Sequence, residues 1–163
     1  MQLTLGALDG AQTGGAVRRG REHGGPVTRA VTRGVCRMLA EFGFATLTEF
    51  RLANHRRVDV MALAPGGEFV IVEVKSTVED FRGDTKWPAY LPFCEQFYFA
   101  VPEGFPVDLL PDGCGLMVAD RFVAVIRRTA PKRSLNGIRK RHQLLRFART
   151  AGARLQALSD PRA

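Results

Sequence analysis

Three charged side chains interrupt two otherwise apolar runs in the middle of the chain. Asp59 lies in the run 57–64, and Glu73 and Lys75 lie in the run 68–76. Charges in buried strands are usually paired or bind a metal, because burying a lone charge is costly. Two converging carboxylates, with the carbonyl of Val74 as a third ligand, suit Mg²⁺ or Mn²⁺. A lysine beside that metal would orient or help deprotonate a water, or neutralise charge on a phosphate. This set of groups is sufficient for phosphodiester hydrolysis.

An ordinary ion pair is the competing interpretation of the same residues. Glu73 and Lys75 are two positions apart, so they share one face of a strand. Lys75 would then pair with Glu73 or with Asp59 on a half-exposed sheet face. A short pattern of this kind is common, which favours the ion pair. The strongly apolar residues on either side favour the metal-site hypothesis here.

The turn at residues 65–67 decides whether the two acids meet. A three-residue turn, with Ala64 paired to Glu68, places Asp59 directly opposite Glu73. A two-residue turn would send the two carboxylates to opposite faces of the sheet. The metal-site hypothesis therefore predicts an odd loop or a bulge here, with one of the two glycines at positive φ.

The elements around this hairpin predict an α/β domain, in which helices cover both faces of a central mixed β-sheet. Hydrophobic periodicity predicts helices over residues 27–42 and 135–158. A capping box at Ser76–Asp80 predicts the start of a further helix, which runs to Lys86–Trp87 and is broken by Pro88. Strands are predicted at 45–52, in the two runs above, at 96–101, and in a hairpin of 115–119 and 122–126. The predicted core face of the last helix comprises Ile138, Leu144, Leu145, Phe147, Ala148, Leu155 and Leu158.

Length and composition indicate one globular domain. We expect residues 26–160 to form it, with the Gly-rich residues 1–25 as a flexible arm. No apolar run approaches membrane-spanning length, and the first residues lack the features of a secretory signal. Three widely spaced cysteines fit neither a disulfide framework nor a zinc site. These features predict a protein of the cytoplasm with no membrane association.

Positive charge is concentrated at the C-terminal end. The net charge is +8, and from Arg127 onwards eleven Lys and Arg residues face one acid. This asymmetry favours a polyanionic partner, above all nucleic acid, although a solvated helix face would give the same pattern. The residues predicted to contact the nucleic acid here are Arg139, Lys140, Arg141 and Arg146. A row of arginines four apart on the first helix, Arg29, Arg33 and Arg37, is open to the same two interpretations.

The order of elements and the central motif resemble the PD-(D/E)XK nuclease superfamily. The motif stands as Val58-Asp59 followed by Glu73-Val74-Lys75, with Val58 in place of the usual proline. Over about residues 27–158 the chain also resembles the bacterial MmcB family of DNA repair proteins. The segments that carry this second resemblance are Thr48-Glu49-Phe50, Arg56-Arg57-Val58-Asp59-Val60, Ile71-Val72-Glu73-Val74-Lys75-Ser76, Asp80-Phe81-Arg82, Asp84-x-Lys86-Trp87-Pro88-x-Tyr90 and Phe99-Ala100-Val101-Pro102.

The resemblance implies a restriction-endonuclease-like core with an extra C-terminal basic helix. It implies that Asp59 and Glu73 are metal ligands and that Lys75 is the catalytic lysine. Many superfamily members carry a further acid, for which Glu49 is the favoured candidate and Glu41 the other.

Exonuclease-related members of the superfamily carry Gln-x-x-x-Tyr after the lysine. Here the same spacing reads Lys86-x-x-x-Tyr90, and both side chains are expected to face the phosphate. Trp87 either stacks on a base or is a core aromatic residue.

These observations lead to three functional hypotheses. The first is a Mg²⁺-dependent (or Mn²⁺-dependent) nuclease that cleaves single-stranded, double-stranded or branched DNA. The resemblance also implies a role in the DNA damage response and induced mutagenesis, alongside error-prone polymerases at the bacterial nucleoid. The second is a catalytically inactive DNA-binding adaptor with the same fold. The third, RNA processing, has no recognition motif in its favour.

Overall fold

The computed structural model describes residues 24–161, so the arm expected over residues 1–25 lies almost entirely outside the described residues. The helices are α1 (Pro26–Glu41), α2 (Val78–Arg82) and α3 (Gly137–Ser159), with 3₁₀ helices at Trp87–Phe93 and Val107–Leu109. The strands are β1 (Ala45–Arg51), β2 (Arg57–Leu63), β3 (Phe69–Val74), β4 (Gln96–Val101), β5 (Gly115–Ala119) and β6 (Ala124–Arg128).

All six strands form one mixed sheet, in the order β1-β2-β3-β4-β5-β6. The first three strands are antiparallel, β4 runs parallel to β3, β5 runs parallel to β4, and β6 is antiparallel to β5. The connection from β3 to β4 carries α2 and the 3₁₀ helix Trp87–Phe93. The predicted α/β architecture, a central mixed sheet with flanking helices, is confirmed.

Helix α1 covers one face of the sheet. Its periodic apolar residues Val31, Val35 and Leu39 are buried against β2 to β5, as the spacing predicted. Gly34 lies against the turn between β5 and β6, where a Cβ atom would stand 2.1 Å from the carbonyl oxygen of Asp120. The backbone of α1 therefore rests directly on the backbone of that turn.

Aromatic rings dominate the core on the opposite face. Phe97 and Phe99 of β4 meet edge to face, with centroids 5.1 Å apart. Phe147 of α3 packs between Phe50 and Phe69, at centroid distances of 5.9 and 6.0 Å. Phe147 is thus the main apolar contact between α3 and the sheet.

The turn between β2 and β3 has the predicted three-residue form. The amide of Ala64 donates to the carbonyl of Glu68 at 2.8 Å, and Gly67 has φ +86°. The ladder between the two strands keeps this register as far as Val60 opposite Val72. Continued one step further, this register would set Asp59 opposite Glu73, as the metal-site hypothesis requires, but the ladder ends at Val60 and Val72.

The helical segment after β3 differs from the prediction. The capping interaction is present, since Thr77 accepts a hydrogen bond from the amide of Asp80. However, α2 ends at Arg82, and Pro88 does not break a helix but lies in the first turn of a 3₁₀ helix. Proline is tolerated there because first-turn amides have no partner within the helix.

The predicted core face of α3 is wrong. Phe147 is buried, but the other six residues of that face are exposed, and the polar Gln143 is buried instead, with its amide donating to the carbonyl of Phe93. Hydrophobic periodicity identifies an apolar face, but it does not show whether other elements cover that face. Here the sheet meets α3 mainly around Phe147.

Among the described helices, none is long and apolar enough to cross a membrane.

Candidate active site

The two predicted acids lie where β2 and β3 separate. Beyond the last ladder pair, Oδ2 of Asp59 accepts a hydrogen bond from the amide of Val74 at 2.7 Å. On the other side of β3, the amide of Lys75 donates to the carbonyl of Ala100 in β4 at 2.9 Å. A side-chain carboxylate thus takes the place of a strand carbonyl, and this bond fixes the orientation of Asp59 in the gap.

Strands β1 and β2 both lose their regular alternation beside this gap. Val58 and Met61 pack in the same core cluster, although residues three apart on a regular strand face opposite sides. In β1, Glu49 has φ +50°, a conformation that is uncommon for a residue with a side chain. The irregularity brings Glu49 beside Asp59, and its carboxylate pairs with Nε of Arg57 at 2.6 Å.

A cavity of about 370 Å³ opens at this point. The residues that line it are Gly24, Gly25, Thr28, Glu49, Arg57, Asp59, Glu73, Val74, Lys75, Ser76 and Asp80. The structure therefore brings the predicted catalytic residues and the predicted backbone ligand Val74 to one cavity. Glu41, the alternative acid, is exposed at the end of α1 and is not among the lining residues.

Glu73 carries the clearest electrostatic signature of the site. Its side chain is 9% exposed, and its Oε2 accepts no hydrogen bond from any residue in the described range. Burial, followed by the negative charge of Asp59, raises the pKa of Glu73 to about 8. Burial also raises the pKa of Asp59, to about 6. Two neighbouring carboxylates of this kind, one buried and one half-buried, destabilise each other when ionised, and a cation between them would stabilise both.

A divalent cation fits the donor set that the structure shows. The orphaned oxygen of Glu73 and the fixed carboxylate of Asp59 face one cavity. Within residues 24–161, no group of three or more His, Cys, Asp or Glu side chains is arranged to hold a metal. Two carboxylates completed by a backbone carbonyl and by water are characteristic of Mg²⁺, which usually retains several waters.

Lys75 is buried as part of an ion-pair network. Its Nζ lies 2.6 Å from Oδ2 of Asp84 and 3.5 Å from Oε1 of Glu73. Burial lowers the pKa of Lys75, but the hydrogen bond to Asp84 and the charge of Glu73 outweigh that effect, and the net pKa is raised. Lys75 is therefore a charged ammonium group that its ion pairs keep in place. Such a group is better suited to neutralise charge than to abstract a proton.

Asp84 is a site residue that the sequence interpretation did not identify. It accepts from Lys75 and also from the amide of Lys86 at 2.7 Å. Burial raises its pKa, but these bonds more than compensate and the net pKa is lowered. Asp84 lies within one of the family-like segments, but no spacing argument links it to Lys75.

A second cavity, of about 350 Å³, lies on the other side of Lys75. Its lining includes Glu73, Asp84, Lys86 and Tyr90, so the two residues expected to face the phosphate do reach the site. Burial, together with the nearby acids, raises the pKa of Tyr90 and keeps its hydroxyl protonated.

Trp87 packs inward. Its ring stacks on Phe97 and meets Phe99 edge on, both at 5.6 Å, which favours the core interpretation over base stacking.

The predicted nucleic-acid-binding residues of α3 divide into two groups. Arg139 donates to the carbonyl of Pro92, and Lys140 pairs with the buried Glu95 at 2.7 Å, so both help to attach the helix. Arg141 and Arg146 are exposed. None of the four is among the lining residues of the two cavities.

Arg154 is a further basic residue of α3, which the sequence interpretation did not single out. It donates to the carbonyls of Thr48 and Glu49 at 2.6 and 3.2 Å. The C-terminal half of α3 is thereby tied to the irregular part of β1, beside the candidate active site.

The fold and the site together define an α/β protein whose central hairpin presents two acids, one buried and one half-buried, and a buried lysine at one end of a mixed sheet. The sequence profile of the MmcB-like family, described as DNA repair protein MmcB-like, matches residues 20–162. The chain belongs to this family, as the resemblance predicted.

A solved structure supports the fold. The chain is similar to a protein of unknown function from Silicibacter pomeroyi, at 43% sequence identity and a TM-score of 0.80. The match covers 82% of this chain and 92% of that one. No curated protein matches the chain.

Proposed function

We propose that this protein is a Mg²⁺-dependent nuclease that hydrolyses phosphodiester bonds of DNA during repair. The observation that carries the proposal is that two acids, the half-buried Asp59 and the buried Glu73, lie in one cavity beside the ion-paired ammonium group of Lys75. This arrangement agrees with the PD-(D/E)XK motif, in which two acids and a lysine act together. Membership of a DNA repair family supports DNA as the substrate.

The residues of the chain have distinct roles in the proposed reaction. Asp59, oriented by the amide of Val74, and Glu73, through its unpartnered oxygen, would hold the metal. When bound, Mg²⁺ supplies activation of a water and neutralisation of phosphate charge. Lys75 stabilises negative charge on a phosphate oxygen, and Asp84 keeps that ammonium group in place. The hydroxyl of Tyr90, protonated throughout, can donate a hydrogen bond to the same phosphate.

The exposed basic residues of α3 would hold the DNA outside the cavity. Arg141 and Arg146 are free to contact phosphates, whereas Arg139 and Lys140 already serve the fold. Contacts of this kind depend on charge and not on sequence. The proposed substrate is therefore DNA in single-stranded, duplex or branched form, and the cellular setting is damage repair, with error-prone polymerases as candidate partners.

A cleavage panel tests this proposal. Wild type and the variants Asp59→Asn, Glu73→Gln and Lys75→Ala are incubated with single-stranded, duplex and branched DNA, and with RNA, with and without Mg²⁺ or Mn²⁺. We expect metal-dependent cutting of DNA by wild type and a loss of about 10³-fold or more in each variant, because each removes a group that acts on the reacting phosphate. The matched control is Glu68→Gln, just before the first residue of β3, where the acid pairs with Lys132.

Two results would contradict the proposal. One is that wild type cuts no nucleic acid with either metal. The other is that Glu73→Gln cuts as fast as the Glu68→Gln control.

The second candidate function, a non-catalytic DNA-binding adaptor, is favoured by one observation. The carboxylate of Glu49, the expected additional acid, is paired with Arg57 at 2.6 Å, which leaves Asp59 and Glu73 of the three acids predicted for the site. An adaptor would bind DNA equally well with a chelator present and with Glu73→Gln, and would show no turnover in the panel.

A further inference from the structure

A groove runs between α1 and β1, next to the candidate active site. It has a volume of about 490 Å³, and its walls include the side chains of Arg29, Arg33 and Arg37 from α1. Thr28 and Glu49 line both this groove and the active-site cavity. The groove and the cavity are therefore neighbouring parts of one channel on the protein surface.

The three arginines form a regular row along this groove. They are four residues apart, so they lie on one face of α1, with successive Cα atoms about 6 Å apart along the axis. Arg33 and Arg37 are exposed, and α1 contains one acid, Glu41 at its last position. Like charges four apart destabilise a helix, and a ligand with regularly spaced negative charges would offset that cost. Nη1 of Arg29 already donates to the carbonyl of Gly24 at 2.8 Å, so Arg33 and Arg37 carry the argument.

The N-terminus of α1 points to the same kind of ligand. Its N-cap, Gly25, makes no side-chain cap, and there is no acid in the first turn. Gly24, Gly25 and Thr28 from this end line the active-site cavity together with Glu73, whose buried Oε2 is unpartnered. A helix N-terminus favours anions through its free amides and its dipole. A phosphate there would lie beside the cation that the acids require.

The side chains of the groove are suited to bind the phosphate backbone of a nucleic acid and not its bases. Among its described lining residues are three guanidinium groups and the threonines Thr28, Thr32 and Thr48, and there is no aromatic ring. Arginine binds phosphate through paired hydrogen bonds, whereas base recognition in single-stranded nucleic acid depends mainly on aromatic stacking.

We propose that the α1–β1 groove binds the phosphodiester backbone of the substrate strand and leads that strand away from the candidate active site. The N-terminus of α1 lies at the phosphate to be cut, and the exposed Arg33 and Arg37 contact phosphates further along the strand. This inference rests on the proposed function and deepens it, because it gives the path of the substrate.

The test is a binding measurement that requires no cleavage. Fluorescence anisotropy with labelled single-stranded and duplex oligonucleotides in EDTA compares wild type with Arg33→Gln/Arg37→Gln. We expect about tenfold weaker binding or more at moderate salt. The slope of log K against log salt should also fall, by about 1.4 for single-stranded DNA or about 1.8 for duplex, which identifies the form that occupies the groove.

The matched control is Arg121→Gln/Arg127→Gln, which removes the same charge from the β5–β6 hairpin at the opposite edge of the sheet from β1. The turn of this hairpin touches α1 at Gly34, but no residue of the hairpin lines the groove. This control should keep nearly the wild-type affinity and salt slope. The variant Arg33→Lys/Arg37→Lys keeps the charge and should recover most of the salt slope but less of the affinity. Thermal unfolding confirms that each variant is folded, as expected for exposed side chains.

The inference is overturned if Arg33→Gln/Arg37→Gln binds as tightly as wild type, if both double variants lose affinity equally, or if wild type binds neither oligonucleotide. These outcomes are separate from a failure of the nuclease proposal. A protein that binds DNA through the groove but never cuts it with Mg²⁺ would refute the nuclease proposal alone. A protein that cuts DNA with the same KM and affinity after Arg33→Gln/Arg37→Gln would refute the groove alone.

Discussion

Asp84→Asn is the substitution that best tests the electrostatic description of the site. Asp84 and Lys75 form the shortest ion pair in the network, with 2.6 Å between Nζ and Oδ2 and side chains that are 11% and 5% exposed. Asparagine keeps the size and one acceptor of the aspartate but removes its charge. The substitution therefore leaves a buried ammonium group without its main counter-charge.

The expected cost can be worked out from these contacts. Removing one partner of a buried ion pair typically costs about 3–5 kcal/mol. Here Glu73 remains 3.5 Å from Nζ, and the amide oxygen of asparagine keeps a hydrogen bond, so we expect about 2–3 kcal/mol. For a protein of this size, this corresponds to a fall in Tm of about 5–10 °C.

Urea unfolding followed by circular dichroism measures the effect, with Asp112→Asn as the matched control. Asp112 also pairs with a basic residue, Arg128, at 2.9 Å, but its side chain is fully exposed. Exposed ion pairs contribute about 0–1 kcal/mol, so the control should change the free energy of unfolding little. The double variant Asp84→Asn/Lys75→Met removes the unpaired ammonium charge and should recover part of the lost free energy of unfolding.

Equal and small costs for Asp84→Asn and Asp112→Asn would refute this reasoning, because burial would then make no difference to the pair. The reasoning would also be wrong if Lys75→Met added its full cost to that of Asp84→Asn, since two residues that act as a pair are not additive.

Two further predictions follow from the same structure. Because the pKa of Glu73 is raised to about 8 in the folded state, the folded protein binds more protons than the unfolded chain between about pH 4.5 and pH 8, so its stability should fall as the pH rises through that range. Chemical unfolding at pH 5.5 and pH 8 should show this loss of stability, and Glu73→Gln should make it smaller. At pH 8, Mg²⁺ in 100-fold excess over its Kd should raise the free energy of unfolding by about 2.7 kcal/mol. A metal-free protein whose stability rises over this range would contradict the prediction. Phe147→Ala should cost about 3–5 kcal/mol, whereas Leu158→Ala, at 80% exposure, should be nearly neutral; similar unfolding midpoints for the two variants would contradict the attachment of α3 through Phe147.

Local rules were sufficient to predict the central hairpin. A count of residues in the Pro-Gly-Gly turn gave the register, and the ladder keeps it as far as Val60 and Val72. Turn length, alternation and the preference of glycine for positive φ act over a few residues, so they can be derived from sequence. Asp59 and Glu73 reach one cavity beyond the end of this ladder, beside irregular positions in β1 and β2 that no local rule predicted.

Contacts between distant elements could not be predicted in this way. The pairing of Lys75 with Asp84 depends on the path of the chain after α2, and the left-handed conformation of Glu49 depends on how β1 fits against β2. The face of α3 that becomes buried depends on where a long helix meets the sheet, and periodicity contains no information on that point.

The close contact between Gly34 and the turn at Asp120 has a consequence for the thermodynamics of binding. Since any side chain at position 34 would collide with a carbonyl oxygen, α1 is fixed against the sheet by backbone as well as by apolar packing. A ligand on the exposed face of α1 would meet guanidinium groups carried by a rigid backbone, so the conformational entropy that the protein itself loses on binding would be mainly that of the arginine side chains. Gly34→Ala would push α1 from the sheet and so should weaken DNA binding through a position that the DNA never touches.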